Sequence, residues 1–424
     1  MVTVLLAVGL LVAAFVGYNI GGSSTGVAFG PAVGSRIIGK VGAAALFTGF
    51  ALWGGWTVGR NVIETMSEGI VPASQFTLES SIVVLFFAGF ALLISNLYGV
   101  PASTSMTAVG AIAGLGLATD SLNESLMFTI VSAWIVAPLL AFAVGLFIGR
   151  YLYPHLEVRV TFARIQDRLI RIDRSGAVPR PVLGIGVSAR DVVGSVSVLL
   201  IACYMGFSAG ASNAANAVAP LVGNGSITIE QGILLAIGAI GLGGFTIARR
   251  TLATVGEGIT DLPILAALIV SLIGATVITV LSRLGIPASL AVSTTSCIIG
   301  LGWGRASRAV TVAEMAETAV TSDPTPDADL SAGALIAETS ETDAPPGPTI
   351  GEVAEGEVPA TPTSRDGGET PVVPPIGEED IEELTAESLF DPAATSRIVV
   401  LWILSPTLSA VGSYVLFEFV LGTG

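Results

Sequence analysis

The first half of this chain recurs in the second half at a nearly constant offset of 189 to 190 residues. Gly17, Gly21, Ser23, Ala28, Pro31 and Gly34 return as Gly206, Gly210, Ser212, Ala217, Pro220 and Gly223. Gly55, Thr57, Arg60, Thr65, Glu68, Gly69 and Ile70 return as Gly244, Thr246, Arg249, Thr254, Glu257, Gly258 and Ile259, and Ser103, Thr104, Gly110 and Gly114 as Ser293, Thr294, Gly300 and Gly304. A register held that long reflects duplication. Hydrophobic repeats broken by Gly, Ser and Pro are the pattern of secondary transporters, in which a solute sits at the interface between two halves.

The repeat belongs in a membrane. Of the residues, 52% are hydrophobic and 12% charged. Apolar runs able to cross a hydrocarbon layer of about 30 Å recur at Met1–Val16, Val41–Val58, Ile82–Leu97, Met127–Leu146, Val192–Phe207, Ile233–Ile247, Leu262–Leu281 and Ile398–Leu421. The expected fold is therefore an all-α polytopic membrane protein, with two inverted-topology repeats, broken helices and re-entrant segments. The opening run lacks a basic flank and matches the later run ending at Phe207, so it reads as a first transmembrane helix rather than a signal peptide.

Five segments follow: a first membrane repeat over 1–149, a basic linker over 150–190, a second repeat over 191–307, an acidic stretch over 308–396, and a final helix over 397–424. Arginines at 150, 159, 164, 168, 171, 174, 180 and 190 place the linker in the cytoplasm by the positive-inside rule. The acidic stretch, rich in Asp, Glu, Pro, Thr, Ala and Gly, reads as a disordered loop that cannot bury enough apolar surface to offset chain entropy. Inverted repeats then put that loop inside as well, and both termini outside. The net charge of −15 and a single lysine, Lys40, resemble proteins of a halophilic archaeon. The sign of the loop argues against a nucleic-acid partner.

An enzyme is disfavoured. His155 is the only histidine, Cys203 and Cys297 lie in apolar runs, no carboxylate pair falls within the broken hydrophobic segments, and no phosphate-binding loop is present. No cofactor is expected beyond a coupling ion.

Chemistry is expected where the apolar runs break. Gly17–Ser35 and its copy Gly206–Gly225 combine clustered glycines, which let a helix unwind, with small polar side chains. Unwound carbonyls with Ser23, Ser24, Ser212, Asn213 and Asn216 suit a hard monovalent cation such as sodium. Tyr98–Gly114 and Ala291–Gly304 read as tips of re-entrant segments, whose helix N-termini present free N–H groups and a positive dipole end. There Ser103, Thr104, Ser105, Ser293, Thr294 and Thr295 are candidate donors to a tetrahedral oxyanion. Arg60 is placed to pair with Glu64 one helical turn on.

At these motifs the chain resembles the inorganic phosphate transporter family of PiT-type permeases. GASNAANAVAPL at Gly210–Leu221 is similar to the family's G-A-N-D-V-A-N-A signature, and Gly21–Ser35 to a weaker first copy. Pro101–Met106 and Val292–Ser296 are similar to its P-V-S-T-T-H segment. The resemblance implies import of inorganic phosphate by sodium or proton symport, with the anion between the re-entrant tips; a homodimer is compatible with it. Both signature aspartates are replaced, by Ser23–Ser24 and by Ser212–Asn213, and the histidines by Met106 and Ser296. No ionisable group remains in the four motifs, which favours sodium over proton coupling. It also leaves sulfate as an alternative, because phosphate carries a proton that a carboxylate can accept and sulfate does not. A second alternative is an anion sensor that signals through the acidic loop.

Overall fold

Thirty-three residues from Val2 to Gly34 form a single helix, α1, about 50 Å long at 1.5 Å per residue. The computed structural model describes residues 2–35, 37–97, 103–159, 170–173, 180–183, 189–246, 264–309 and 392–420. After α1 come α2 (Lys40–Thr57), α3 (Gly59–Glu64, extended by a π-turn over Thr65–Gly69), α4 (Leu78–Leu97), α5 (Thr104–Ala118) and α6 (Glu124–Phe147). A second π-turn, Ile148–Leu152, joins α6 to α7 (Tyr153–Arg159). The second half contains α8 (Ala189–Gly223), α9 (Ile229–Thr246), α10 (Ile264–Arg283), α11 (Leu290–Ala309) and α12 (Pro392–Val415), the last ending in a π-turn over Leu416–Val420. Among the described residues, five stretches are long and apolar enough to span a membrane, six if the bent α2–α3 pair is counted as one. The chain is an all-α polytopic membrane protein.

The breaks lie elsewhere than the glycine clusters suggested. α1 and α8 run unbroken through Gly17–Gly34 and Gly206–Gly223. Their glycines serve close packing instead. A Cβ at Gly21 would overlap the Ile240 carbonyl of α9, and a Cβ at Gly210 would overlap the Ala51 carbonyl of α2. Gly54 and Gly243 meet the carbonyls of Phe207 and Tyr18 in the same way. These contacts form two pairs related by the 189-residue offset: α1 crosses α9 as α8 crosses α2. The actual bend, 64°, falls between α2 and α3 at Val58, where Gly59 sits against Ala211 of α8.

The outer helices repeat the pattern with one chemical difference. Gly300 and Gly304 of α11 meet the Phe142 and Leu146 carbonyls of α6, as Gly110 and Gly114 of α5 meet those of Pro406 and Ala410 of α12. In the reverse direction, Gly145 of α6 and Gly149 of the π-turn that follows it meet Cys297 and Leu301, whereas α12 presents Ser409 and Ser413. Those serines donate to Thr107 O at 2.7 Å and Ala111 O at 2.8 Å. The α5–α12 contact is thus hydrogen-bonded at two positions where the α6–α11 contact has glycine.

The linker, expected as a polar connector, contains α7 and a hairpin pairing β1 (Ile170–Asp173) with β2 (Arg180–Leu183). Most of the acidic stretch, residues 310–391, lies outside the described residues, as does Arg249.

Overpacking a backbone contact costs about 1–3 kcal/mol. Gly21→Ala and Gly210→Ala should therefore each lower the thermal unfolding midpoint in detergent. Gly49→Ala and Gly238→Ala, also 189 residues apart but with no atom within 4 Å of the added methyl, should leave it unchanged or raise it.

Candidate functional site

The first of the two expected re-entrant segments contains a capped helix, α5. Ser103, fully buried, accepts from Met106 N at 3.4 Å as the N-cap of α5. The α5 N-terminus points its dipole and the hydroxyls of Thr104 and Ser105 toward the middle of α8. There a continuous polar network forms. Thr104 Oγ1 donates to Asn213 Oδ1 at 2.6 Å. Asn216 Nδ2 lies 3.3 Å from Thr104 Oγ1, 3.1 Å from Ser105 Oγ and 3.1 Å from Asn213 Oδ1. Ser105 Oγ and Ser212 Oγ are 3.3 Å apart, and Asn213 Nδ2 donates to Ser24 Oγ of α1 at 3.5 Å. Asn216 is 1% exposed, and its Oδ1 has no hydrogen-bond partner among the described residues.

Six of the eleven candidate side chains therefore meet directly: Thr104, Ser105, Ser212, Asn213, Asn216 and Ser24. They span both expected sets, so the oxyanion donors and the cation ligands form one network rather than two separate sites. Ser103 supports it through the cap. Ser23 is half-buried on α1, one residue before Ser24.

Ser293, Thr294 and Thr295 are placed differently. They were expected at the N-terminus of a second re-entrant helix, but α11 begins at Leu290 and they lie within it. Thr294 Oγ1 donates to its own helix, at Leu290 O (2.9 Å) and Ala291 O (3.0 Å), and its methyl packs on Gly274 of α10. The N-cap is Ser289, which accepts from Val292 N at 3.4 Å. One signal in the sequence marks this. Gly99–Ser103 reads GVPAS and Gly285–Ser289 reads GIPAS, 186 residues apart, whereas the glycines farther along the two helices match at 190. The four-residue difference is close to one helical turn. α11 is extended by that turn, which carries Ser293–Thr295 away from the tip.

The true second tip contributes backbone. Ala288 O accepts from Ser212 Oγ at 2.7 Å and from Ser105 Oγ at 3.0 Å, and Pro287 O accepts from Trp134 Nε1 of α6 at 2.8 Å. The role of these groups was not apparent from side-chain chemistry, since the acceptors are carbonyls.

Charged groups lie outside the network. Arg60 pairs with Glu230 of α9 at 2.8 Å rather than with Glu64, and stacks on Trp56. Both partners are substantially exposed, so the pair contributes little stability. Arg150 bonds Ser307, and Arg305 lies over the Tyr153 ring at 4.4 Å. Among the described residues no three His, Cys, Asp or Glu side chains group as metal ligands.

Long crossed helices, a bent pair and a short capped helix around a buried polar network are the architecture of a membrane transporter. The fold agrees: a solved structure titled "The sodium-dependent phosphate transporter" aligns with a TM-score of 0.63 and 19% identity, covering 98% of each chain. Residues 20–322 match the phosphate transporter family, and the chain belongs to it. Its relatives include the sulfate permease CysP of Bacillus subtilis, 32% identical over 70% of this chain and 77% of that protein. A putative phosphate permease of Haemophilus influenzae is 25% identical over 69% of this chain and 86% of its own. The chloroplastic inorganic phosphate transporter 2-1 of Arabidopsis thaliana is 24% identical over 72% and 68%.

If the network is the binding site, Thr104→Val should weaken anion binding about tenfold or more, the worth of one hydrogen bond to a charged group. Thr294→Val, whose hydroxyl serves its own helix, should stay within about twofold of the parent. Equilibrium binding of labelled anion to the two purified variants separates the cases.

Proposed function

We propose that this protein is a secondary transporter that imports a tetrahedral oxyanion, held at the α5 N-terminus by Ser103, Thr104, Ser105, Ser212, Asn213 and Asn216. The observation that carries this reading is the buried network joining the α5 terminus to α8. A helix N-terminus favours negative charge, and clustered hydroxyl and amide groups supply rotatable donors to replace hydration. Ser293, Thr294 and Thr295 leave the proposed anion shell and become packing residues of α11.

Inorganic phosphate is the substrate that the family supports. Sulfate is the second reading, favoured by two observations: the network contains no carboxylate to accept a phosphate proton, and the Bacillus subtilis relative is a sulfate permease. Sodium is the proposed coupling ion. Neutral oxygens of Ser23, Ser24, Ser212, Asn213 and Asn216, with Asn216 Oδ1 open to a cation, fit a hard monovalent ion better than a proton, which needs a titratable side chain. Hydrogen bonds from Thr104 and Asn216 to Asn213 Oδ1 tie the cation ligands to the anion donors, so filling one subsite reorients the other.

The reciprocal crossing of α1 with α9 and α8 with α2 supports two inverted repeats. In that arrangement both termini lie outside and the segments 150–190 and 308–396 lie in the cytoplasm.

Uptake of labelled phosphate and sulfate into proteoliposomes under imposed sodium or proton gradients tests the proposal. Sodium-driven accumulation of either anion is expected, with competition identifying the preferred one. Gradient-independent binding without accumulation would instead favour an anion sensor, and neither binding nor uptake would remove the oxyanion site.

A further inference from the structure

The turn between α10 and α11 is held by more side-chain bonds than a helix–helix turn requires. α10 stops at Gly285, whose φ of 75° lies in the left-handed region. Gly285 N bonds Ser282 O and Ile286 N bonds Leu281 O, the paired bonds of a Schellman stop. Asn61 of α3 donates to the Arg283 carbonyl at 2.7 Å. Beyond the stop, two successive carbonyls, those of Pro287 and Ala288, are claimed from three different helices. Trp134 of α6 holds Pro287 O, while Ser105 of α5 and Ser212 of α8 both hold Ala288 O.

Those two hydroxyls belong to the proposed oxyanion site. A serine hydroxyl has one hydrogen to donate. While Ser105 and Ser212 donate to Ala288 O, neither can donate to a substrate. The carbonyl therefore occupies the donors that an anion oxygen would use, and binding must exchange one acceptor for the other. The turn is bounded by a left-handed glycine and by the N-cap Ser289, element-terminal positions of the kind that absorb backbone rotation.

We propose that the Ile286–Ser289 turn is a gate whose Ala288 carbonyl competes with the substrate for Ser105 and Ser212, and that Trp134 is the positioning residue that sets how firmly this gate is closed. The proposal rests on the oxyanion reading of the site for its direction. Apparent affinity falls with the fraction of protein in the competent state. Removing one neutral hydrogen bond from the closed gate should raise that fraction about two- to tenfold.

Trp134→Phe keeps an aromatic ring and loses the N–H. Purified full-length W134F should bind labelled sulfate or phosphate, whichever the parent binds, about two- to tenfold more tightly. A second readout needs no transport. Ala288 is 2% exposed, so a cysteine there, with Cys203 and Cys297 replaced by alanine, reports gate opening through its rate of maleimide labelling. W134F should accelerate labelling by a similar factor, and saturating anion should accelerate it in the parent. Should W134F fold poorly, Ser212→Ala gives an independent check, since it should speed labelling while weakening anion binding. Unchanged labelling and unchanged affinity in W134F overturn the gate. Faster labelling in W134F with no response to either anion upholds the gate and overturns the oxyanion reading on which its purpose rests.

Discussion

Backbone-to-backbone contact through glycine is the constraint on which the rest of this molecule depends. In a bilayer the hydrophobic effect gives little reason for helices to associate, so close packing and hydrogen bonds must hold them. Gly21 against Ile240, Gly210 against Ala51, Gly54 against Phe207 and Gly243 against Tyr18 bring four long helices together with no side chain between their backbones. That closeness fixes α1 beside α8. It thereby brings Ser24 within reach of Asn213 and aims the middle of α8 at the α5 N-terminus. The polar network follows from the seam.

The network is neutral throughout, and this has energetic consequences. A carboxylate buried at this depth would need a partner or a raised pKa. Hydroxyls and amides avoid that penalty by bonding one another, as Thr104, Asn213 and the Asn216 amide nitrogen do. In the site proposed above, substrate displaces protein–protein hydrogen bonds, and the resting arrangement competes with the ligand. On that proposal, binding proceeds through donor rearrangement, which couples occupancy to the conformation of the α10–α11 turn.

Much of this was legible in the residues. The 189-residue register predicted reciprocal halves, and several of the glycines that defined it, Gly21, Gly210, Gly110, Gly114, Gly300 and Gly304, meet carbonyls of neighbouring helices. Thr104, Ser105, Ser212, Asn213 and Asn216 were identified by their polarity within apolar runs. Two inferences failed for the same physical reason, that composition does not reveal what a residue faces. Glycine clusters are compatible with an unwound helix and with a tightly packed one, and α1 and α8 are the latter. Hydroxyl clusters fit a helix tip and a helix interior alike, and in α11 Thr294 satisfies its own turn.

The sequence by itself determined the membrane class, the duplication and the polar side chains available for binding, because apolar run length and repeated glycines depend only on local order. Only the tertiary structure decided which of those side chains meet. A four-residue extension of α11 moves Ser293–Thr295 one turn from the tip and puts the Ala288 carbonyl in their place. Every residue supplies the same carbonyl, so no residue type announces it; its partners are set by how α5 and α8 converge on one peptide group.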